Sequence, residues 1–199
     1  WDLWRRGEGG VVGDEMGLGK TAQVGAFLGA VADRRELSTC LVLAPTTMLA
    51  HWRRELETWA PRGRVVVLHR SAEAFDDAAK KGPVALAEFL ARALSPPESS
   101  TGATFGVVIC SYEGLRRLSD ALLAKAWGCV ILDEGQKIRN PEASITRLTK
   151  QLRTPRRYLL SGTPVQNSLT ELWSLFDFAV PGRLGTLRAF DDELAAPIR

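Results

Sequence analysis

The chain has 199 residues, 45% of them hydrophobic and 25% charged, with a formal net charge of +3. That length suits one domain whose core needs no covalent staple, and no apolar run approaches the roughly 18 residues of a membrane-crossing helix. The mild positive charge is compatible with nucleic acid but does not argue for it.

Short apolar runs alternate with amphipathic stretches along the chain. Gly10 to Gly13 reads as a short strand and Lys20 to Arg35 as a helix. Cys40 to Ala44 reads as a strand. A helix follows from Pro45-Thr46-Thr47 through Trp59, with a threonine as N-cap. Val65 to Leu68 is a strand, and Ser71 to Leu94 is helical with a break near Gly82-Pro83. Ser95 to Gly102, rich in Ser and Pro, reads as a surface loop closing a helical insertion over about residues 71–104. Phe105 to Cys110 is a strand, Glu113 to Ala126 a helix and Cys129 to Leu132 a strand. After a loop come a helix from about Glu142 to Leu152, a strand at Tyr158 to Leu160 and a helix at Leu169 to Ala179. Continuous apolar strands such as Val107-Val108-Ile109 suit a sheet covered on both faces. Their alternation with helices predicts an α/β fold with a mostly parallel central sheet.

The stretch Gly13 to Thr21, GDEMGLGKT, sits between a strand and a helix. That is the context of a phosphate-binding loop. Gly17 and Gly19 permit backbone conformations that a Cβ would block. Successive N–H groups of Asp14, Glu15, Met16, Gly17, Leu18 and Gly19 then face phosphate oxygens, backed by a helix N-terminus. Lys20 reaches the β- and γ-phosphates of ATP, and the Thr21 hydroxyl ligates Mg²⁺. Asp14 stands where the usual phosphate-loop pattern has glycine.

The apolar run Cys129 to Leu132 leads directly into Asp133-Glu134. A buried strand ending in two carboxylates is either an acidic turn or a catalytic pair at the carboxyl edge of the sheet, where α/β ligands bind. An upstream phosphate loop favours the pair. Asp133 then holds Mg²⁺ and Glu134 orients and polarises the attacking water.

With these stretches in place, the chain resembles the superfamily 2 helicase-like ATPases of the Swi/Snf type. GDEMGLGKT is similar to that group's motif I, in which aspartate is normal at the Asp14 place. LVLAPTTMLAHWRREL (Leu41 to Leu56) is similar to motif Ia, and VVICSYEGLRR (Val107 to Arg117) to motif Ib. ILDEGQKIRNP (Ile131 to Pro141) is similar to motif II, and LLSGTPVQN (Leu159 to Asn167) to motif III. LTELWSLFDFAVPG (Leu169 to Gly182) resembles the helix after motif III. Within the group, KIRNP, RTPRR and PGRLGTL resemble the Cockayne syndrome group B subfamily, which couples DNA repair to transcription and remodels chromatin.

The resemblance implies a RecA-like P-loop fold of three layers, here the first ATP-binding lobe over residues 1–199. It also implies a nuclear DNA-dependent ATPase that translocates on duplex DNA or nucleosomes, with RNA polymerase as a partner. Gln136, Ser161 and Thr163 link nucleotide state to DNA grip. Pro45, Thr46, Ser111 and Tyr112 touch the phosphate backbone, a contact that positions the protein without reading sequence. A glutamine motif that reads adenine is expected before Trp1. The second RecA-like lobe, with its arginine finger, is expected after Arg199. Two rivals stand beside this reading. One is a strand-separating helicase, disfavoured by GDEMGLGKT together with QN-x-x-x-ELWSLFDF. The other is an inactive DNA- or protein-binding scaffold, disfavoured by the presence of Lys20, Thr21, Asp133 and Glu134.

Other residues are expected to have no chemistry. Cys40, Cys110 and Cys129 lie in apolar runs without metal-ligand spacing and read as buried, reduced thiols. His51 and His69 have no metal partners in sequence. Trp52, Trp59, Trp127 and Trp173 read as core. The pairs Arg5-Arg6, Arg53-Arg54, Arg116-Arg117 and Arg156-Arg157 read as solvated faces.

Overall fold

Two apolar runs are buried along their whole length, Phe105–Ser111 and Cys129–Leu132. Such strands need cover on both faces. The computed structural model describes residues 1–15, 17–69, 73–94, 105–162 and 168–195, and it supplies that cover. The described strands are β1 (Gly10–Val12), β2 (Thr39–Ala44), β3 (Gly63–Leu68), β4 (Phe105–Ser111), β5 (Cys129–Leu132) and β6 (Arg157–Leu160). They form one sheet in the order β1-β6-β5-β2-β4-β3, with every neighbouring pair parallel.

The helices are α1 (Asp2–Arg6), α2 (Lys20–Asp33), α3 (Leu49–Trp59), α4 (Glu73–Lys80) and α5 (Pro83–Leu94), then α6 (Tyr112–Arg117), α7 (Ser119–Ala124), α8 (Ser144–Gln151), α9 (Leu169–Ala179) and α10 (Leu187–Phe190). Alternate residues of a strand point to opposite faces. Cys40, Val42, Ile109, Cys129 and Ile131 therefore share one core with Val24, Leu28 and Val31 of α2 and Leu49, Trp52 and Leu56 of α3. Leu41, Leu43, Val108, Val130 and Leu132 face the other core, with Leu86 and Leu90 of α5, Leu115 of α6, Ile145 of α8 and Phe178 of α9. The helical residues recur at the three- and four-residue spacing of one helix face. The result is the three-layer α/β arrangement expected from the strand–helix alternation.

Several expectations need correction. The Glu113–Ala126 helix is two helices, because Leu118 (φ −111°, ψ 19°) leaves helical geometry between α6 and α7. No threonine caps α3. Pro45 and a 3₁₀ turn at Thr46–Met48 lead into it, and neither start carries a side-chain cap. The pair Arg156-Arg157 is not a solvated face. The Arg156 guanidinium lies 3.9 Å over the Trp4 ring, and Arg157 donates to Lys150 O at 3.2 Å and Leu152 O at 2.8 Å. Trp59 is 49% exposed, lying over Gly25 and Gly29 of α2, whereas Trp52, Trp127 and Trp173 are buried. All three cysteines are buried and free. Ser95 to Gly102 lies outside the described residues.

A candidate nucleotide site at the carboxyl rim of the sheet

Because all six strands run the same way, their carboxyl ends lie along one rim. Along that rim the loop after β1 comes first, then Ser161 after β6, Asp133 after β5, Pro45 after β2, and the β4–α6 junction at Ser111-Tyr112. The topology therefore brings Lys20, Asp133, Glu134, Gln136 and Ser161 to neighbouring strand ends, as α/β ligand sites require.

The loop after β1 turns through Gly17 (φ +88°) and Gly19 (φ +72°), left-handed conformations that residues with a Cβ rarely adopt. Helix α2 then starts at Lys20, whose ammonium donates to Asp14 O at 2.7 Å and Glu15 O at 2.8 Å. Gln23 Nε2 closes the same loop by donating to Leu18 O at 3.0 Å. Thr21 is half-buried in the first turn of α2. Met16 and Thr163, both expected at the site, lie outside the described residues.

Asp133 is 7% exposed. Its N–H continues the ladder by donating to Leu43 O at 2.8 Å. Its Oδ2 accepts from Trp52 Nε1 at 2.7 Å and its Oδ1 from Glu134 N at 2.9 Å, while its carbonyl accepts from the Tyr112 hydroxyl at 2.6 Å. Burial pushes the Asp133 carboxyl above the ordinary carboxylate value. The Trp52 and Glu134 N–H bonds oppose that rise, the Glu134 charge adds to it, and the Lys20 ammonium opposes it. Burial, and then the Asp133 and Glu134 charges, push the Tyr112 hydroxyl well above its usual value, so it remains a donor at neutral pH.

Glu134 is half-buried and sits in the left-handed region (φ 51°, ψ 55°). Its Oε2 accepts from Gln136 Nε2, and Gln136 Oε1 accepts from Ser161 Oγ at 3.2 Å. The Ser161 N–H donates to Val12 O at 3.0 Å, tying β6 to β1 just before the loop. From below, Ser174 Oγ of α9 donates to Ile138 O at 2.7 Å and holds the 3₁₀ turn Gly135–Ile138.

Mg²⁺ takes oxygen ligands and is usually held by one or two carboxylates plus substrate phosphates. The Asp133 carboxylate and the Thr21 hydroxyl are donors of that kind, and each Asp133 oxygen keeps lone pairs beyond its one bond. Among the described residues no group of three or more His, Cys, Asp or Glu could cage a metal.

The four residues expected to face DNA differ in exposure. Thr46 is exposed and Pro45 half-buried at the end of β2. Ser111 is buried, with its hydroxyl accepting from Gly114 N at 2.9 Å, and Tyr112 is buried with its hydroxyl on Asp133. The side chains of the second pair are thus both engaged inside the domain. Sequence reasoning missed Trp52, assigning it to packing alone. The available signal was chemical: a buried tryptophan needs an acceptor, and a carboxylate ending a buried strand needs donors.

A match to the SNF2-related domain covers residues 1–199. The chain belongs to the SNF2-related domain family. It is 41% identical over 215 residues to the DNA excision repair protein CSB of Oryza sativa subsp. japonica, covering 100% of this chain and 18% of that protein. It is 42% identical over 209 residues to the DNA excision repair protein ERCC-6 of Mus musculus, covering 100% of this chain and 13% of that protein. The solved Sulfolobus solfataricus SWI2/SNF2 ATPase core in complex with dsDNA superposes with a TM-score of 0.78 at 29% identity, over 99% of this chain and 36% of that one. The SNF2-related domain therefore spans less than a fifth of the length of these curated relatives. Its six-stranded parallel sheet is the RecA-like sheet of the SWI2/SNF2 ATPase core.

Proposed function

We propose that this domain binds ATP with Mg²⁺ on the Gly13–Thr21 loop and hydrolyses it with the Asp133-Glu134 pair when a second RecA-like lobe of the same protein closes over it. The observation that carries this reading is geometric: the Gly17–Gly19 turn that leads into Lys20 and the strand end at Asp133-Glu134 meet along one rim of the parallel sheet. Lys20 exchanges its two loop carbonyls for phosphate oxygens, and the loop's backbone N–H groups take the others. Thr21 and Asp133 hold Mg²⁺, which supplies counter-charge to the phosphates. Glu134 orients the attacking water and accepts its proton. Gln136, bonded to both Glu134 and Ser161, passes the state of that glutamate toward β6, and Thr163 is assigned to the same coupling by the family resemblance alone.

The rest of the reading concerns the whole protein. It is a nuclear DNA-dependent translocase of the repair and remodelling branch, in keeping with the names of its excision-repair relatives and with the dsDNA in the Sulfolobus complex. Duplex DNA, free or in a nucleosome, meets the exposed Thr46 turn through its backbone. At Ser111-Tyr112, where the side chains are engaged internally, the contact falls to the main chain. RNA polymerase as a partner rests on the resemblance to the repair subfamily.

Glu134→Gln in the intact protein tests the catalytic assignment. It is expected to bind ATP with unaltered affinity and to lose DNA-stimulated turnover. Turnover at the wild-type rate would remove Glu134 from the chemistry.

A further inference from the structure

Two buried aromatic side chains on different helices donate to a single residue. Trp52 is fully buried on α3 and gives its indole hydrogen to Asp133 Oδ2. Tyr112 is buried at the start of α6 and gives its hydroxyl hydrogen to Asp133 O. With Glu134 N on Oδ1, each carboxylate oxygen and the carbonyl carry a directed bond. Two bonds to the two oxygens fix the rotation of the carboxylate about its own axis, and the third fixes the backbone behind it. An indole N–H is a donor only, so Trp52 cannot itself take a metal. Its bond orients the group that can.

Filling the core does not require this arrangement. Trp127 is similarly buried, just after α7, and satisfies its N–H on a nearby backbone carbonyl of that helix, Leu122 O at 3.0 Å. Trp52 instead reaches a residue 81 positions away. Its helix follows the Thr46–Met48 turn after β2, and the Tyr112 helix follows Ser111 after β4. The donors thus come from the helices that follow β2, which flanks β5, and β4, the next strand outward.

We propose that Trp52 and Tyr112 are positioning residues that hold the Asp133 carboxylate in the orientation in which it takes Mg²⁺ together with a nucleotide; this rests on the nucleotide reading above. Partners that orient a metal ligand typically contribute about 10- to 100-fold in metal affinity or activity.

The test uses the intact protein and measures ATP affinity by calorimetry, with a titration of Mg²⁺ and again in its absence. Trp52→Phe keeps a ring and loses the N–H. Tyr112→Phe removes one oxygen atom. Trp127→Phe is the control, making the same exchange of indole for phenyl, with loss of the N–H, at a tryptophan bonded to Leu122 O and not to Asp133. Trp52→Phe and Tyr112→Phe are expected to raise the Mg²⁺ midpoint for ATP binding by roughly tenfold and to leave Mg²⁺-free ATP binding at the wild-type level. Trp127→Phe is expected to lower the melting temperature with the Mg²⁺ midpoint unmoved. An equal effect of Trp52→Phe and Trp127→Phe overturns the proposal, as does a loss that persists undiminished without Mg²⁺. If Trp52→Phe does not fold, the nearly isosteric Tyr112→Phe decides by the same two criteria. Wild-type protein that binds no ATP at all would instead sink the nucleotide reading itself.

Discussion

Lys20→Ala separates a binding role from a structural one, because the two predict opposite results. In the structure the Lys20 ammonium donates to the carbonyls of Asp14 and Glu15, and both of those residues are exposed. Their carbonyls turn to water when the lysine is lost. The cost to the fold is therefore that of a surface change, within about 0.5 kcal/mol, or about 2 °C in melting temperature for a domain of this size. The nucleotide complex has no such replacement. A charge-assisted bond from an ammonium to a phosphate is worth roughly 1.5–3 kcal/mol, which weakens binding about 10- to 150-fold. Calorimetry with ATP and Mg²⁺ reads the second quantity and thermal unfolding without nucleotide reads the first. Affinity at the wild-type level would refute the phosphate assignment. A large fall in melting temperature would show that the lysine serves to build the loop.

Further outcomes follow from other contacts. Ser174→Ala leaves the buried Ile138 carbonyl without its 2.7 Å partner, and a buried acceptor so stranded costs about 1–3 kcal/mol, read as a lower urea midpoint. Burial raises the Asp133 pKa in the folded state, so the folded chain holds that proton more tightly than the unfolded chain. The contribution of Asp133 to stability is therefore fully present below the unfolded carboxylate value and is lost as pH rises from there through the higher folded value. Without Mg²⁺ or nucleotide, the stability of wild type minus that of Asp133→Asn should fall with rising pH and then level off; a rising difference would contradict the shift. Burial pushes Cys110 up to about 12 and Cys40 well above its usual value, so iodoacetamide should label neither thiol at neutral pH until the chain is unfolded. Residues 1–199 alone should hydrolyse ATP very slowly, since an arginine finger from a second lobe supplies about 10³- to 10⁵-fold; brisk DNA-stimulated turnover by this domain alone would contradict the two-lobe reading.

The strands, and with them the strand-end position of Asp133-Glu134, were legible because their signals are local. The run Cys129 to Leu132 is buried at every position and ends at two carboxylates, so strand and site share one short stretch of sequence. The α9 helix from Leu169 to Ala179 has its expected bounds because Ser168 caps it, accepting from Glu171 N at 3.2 Å. Features that depend on distant partners were not legible. Helix α1 has five residues, too few to show an apolar period. It is fixed by Trp4, whose indole N–H donates to Glu36 at 2.7 Å and whose ring lies under Arg156. The same contact half-buries Arg156, while Arg157 is held by the carbonyls of Lys150 and Leu152, so the pair is not a solvated face. Trp52 looked like any helical core tryptophan because its acceptor lies 81 residues further on.

The left-handed Glu134 joins the two halves of the site. A non-glycine residue in that region costs on the order of 1–3 kcal/mol unless its neighbours hold it there. Here its N–H is bound by Asp133 Oδ1, its carbonyl accepts from Lys137 N at 3.0 Å, and its carboxylate accepts from Gln136. These bonds turn the chain sharply at the end of β5 and bring Gln136 within reach of Ser161 on β6. Ser161 is in turn tied through its N–H to Val12, the last residue of β1 before the phosphate loop. One short chain of bonds therefore runs from the last residue of β1, before the loop that would hold phosphate, to the glutamate that would position water. The strain sits where that chain of bonds meets Asp133 and Glu134, at the end of β5.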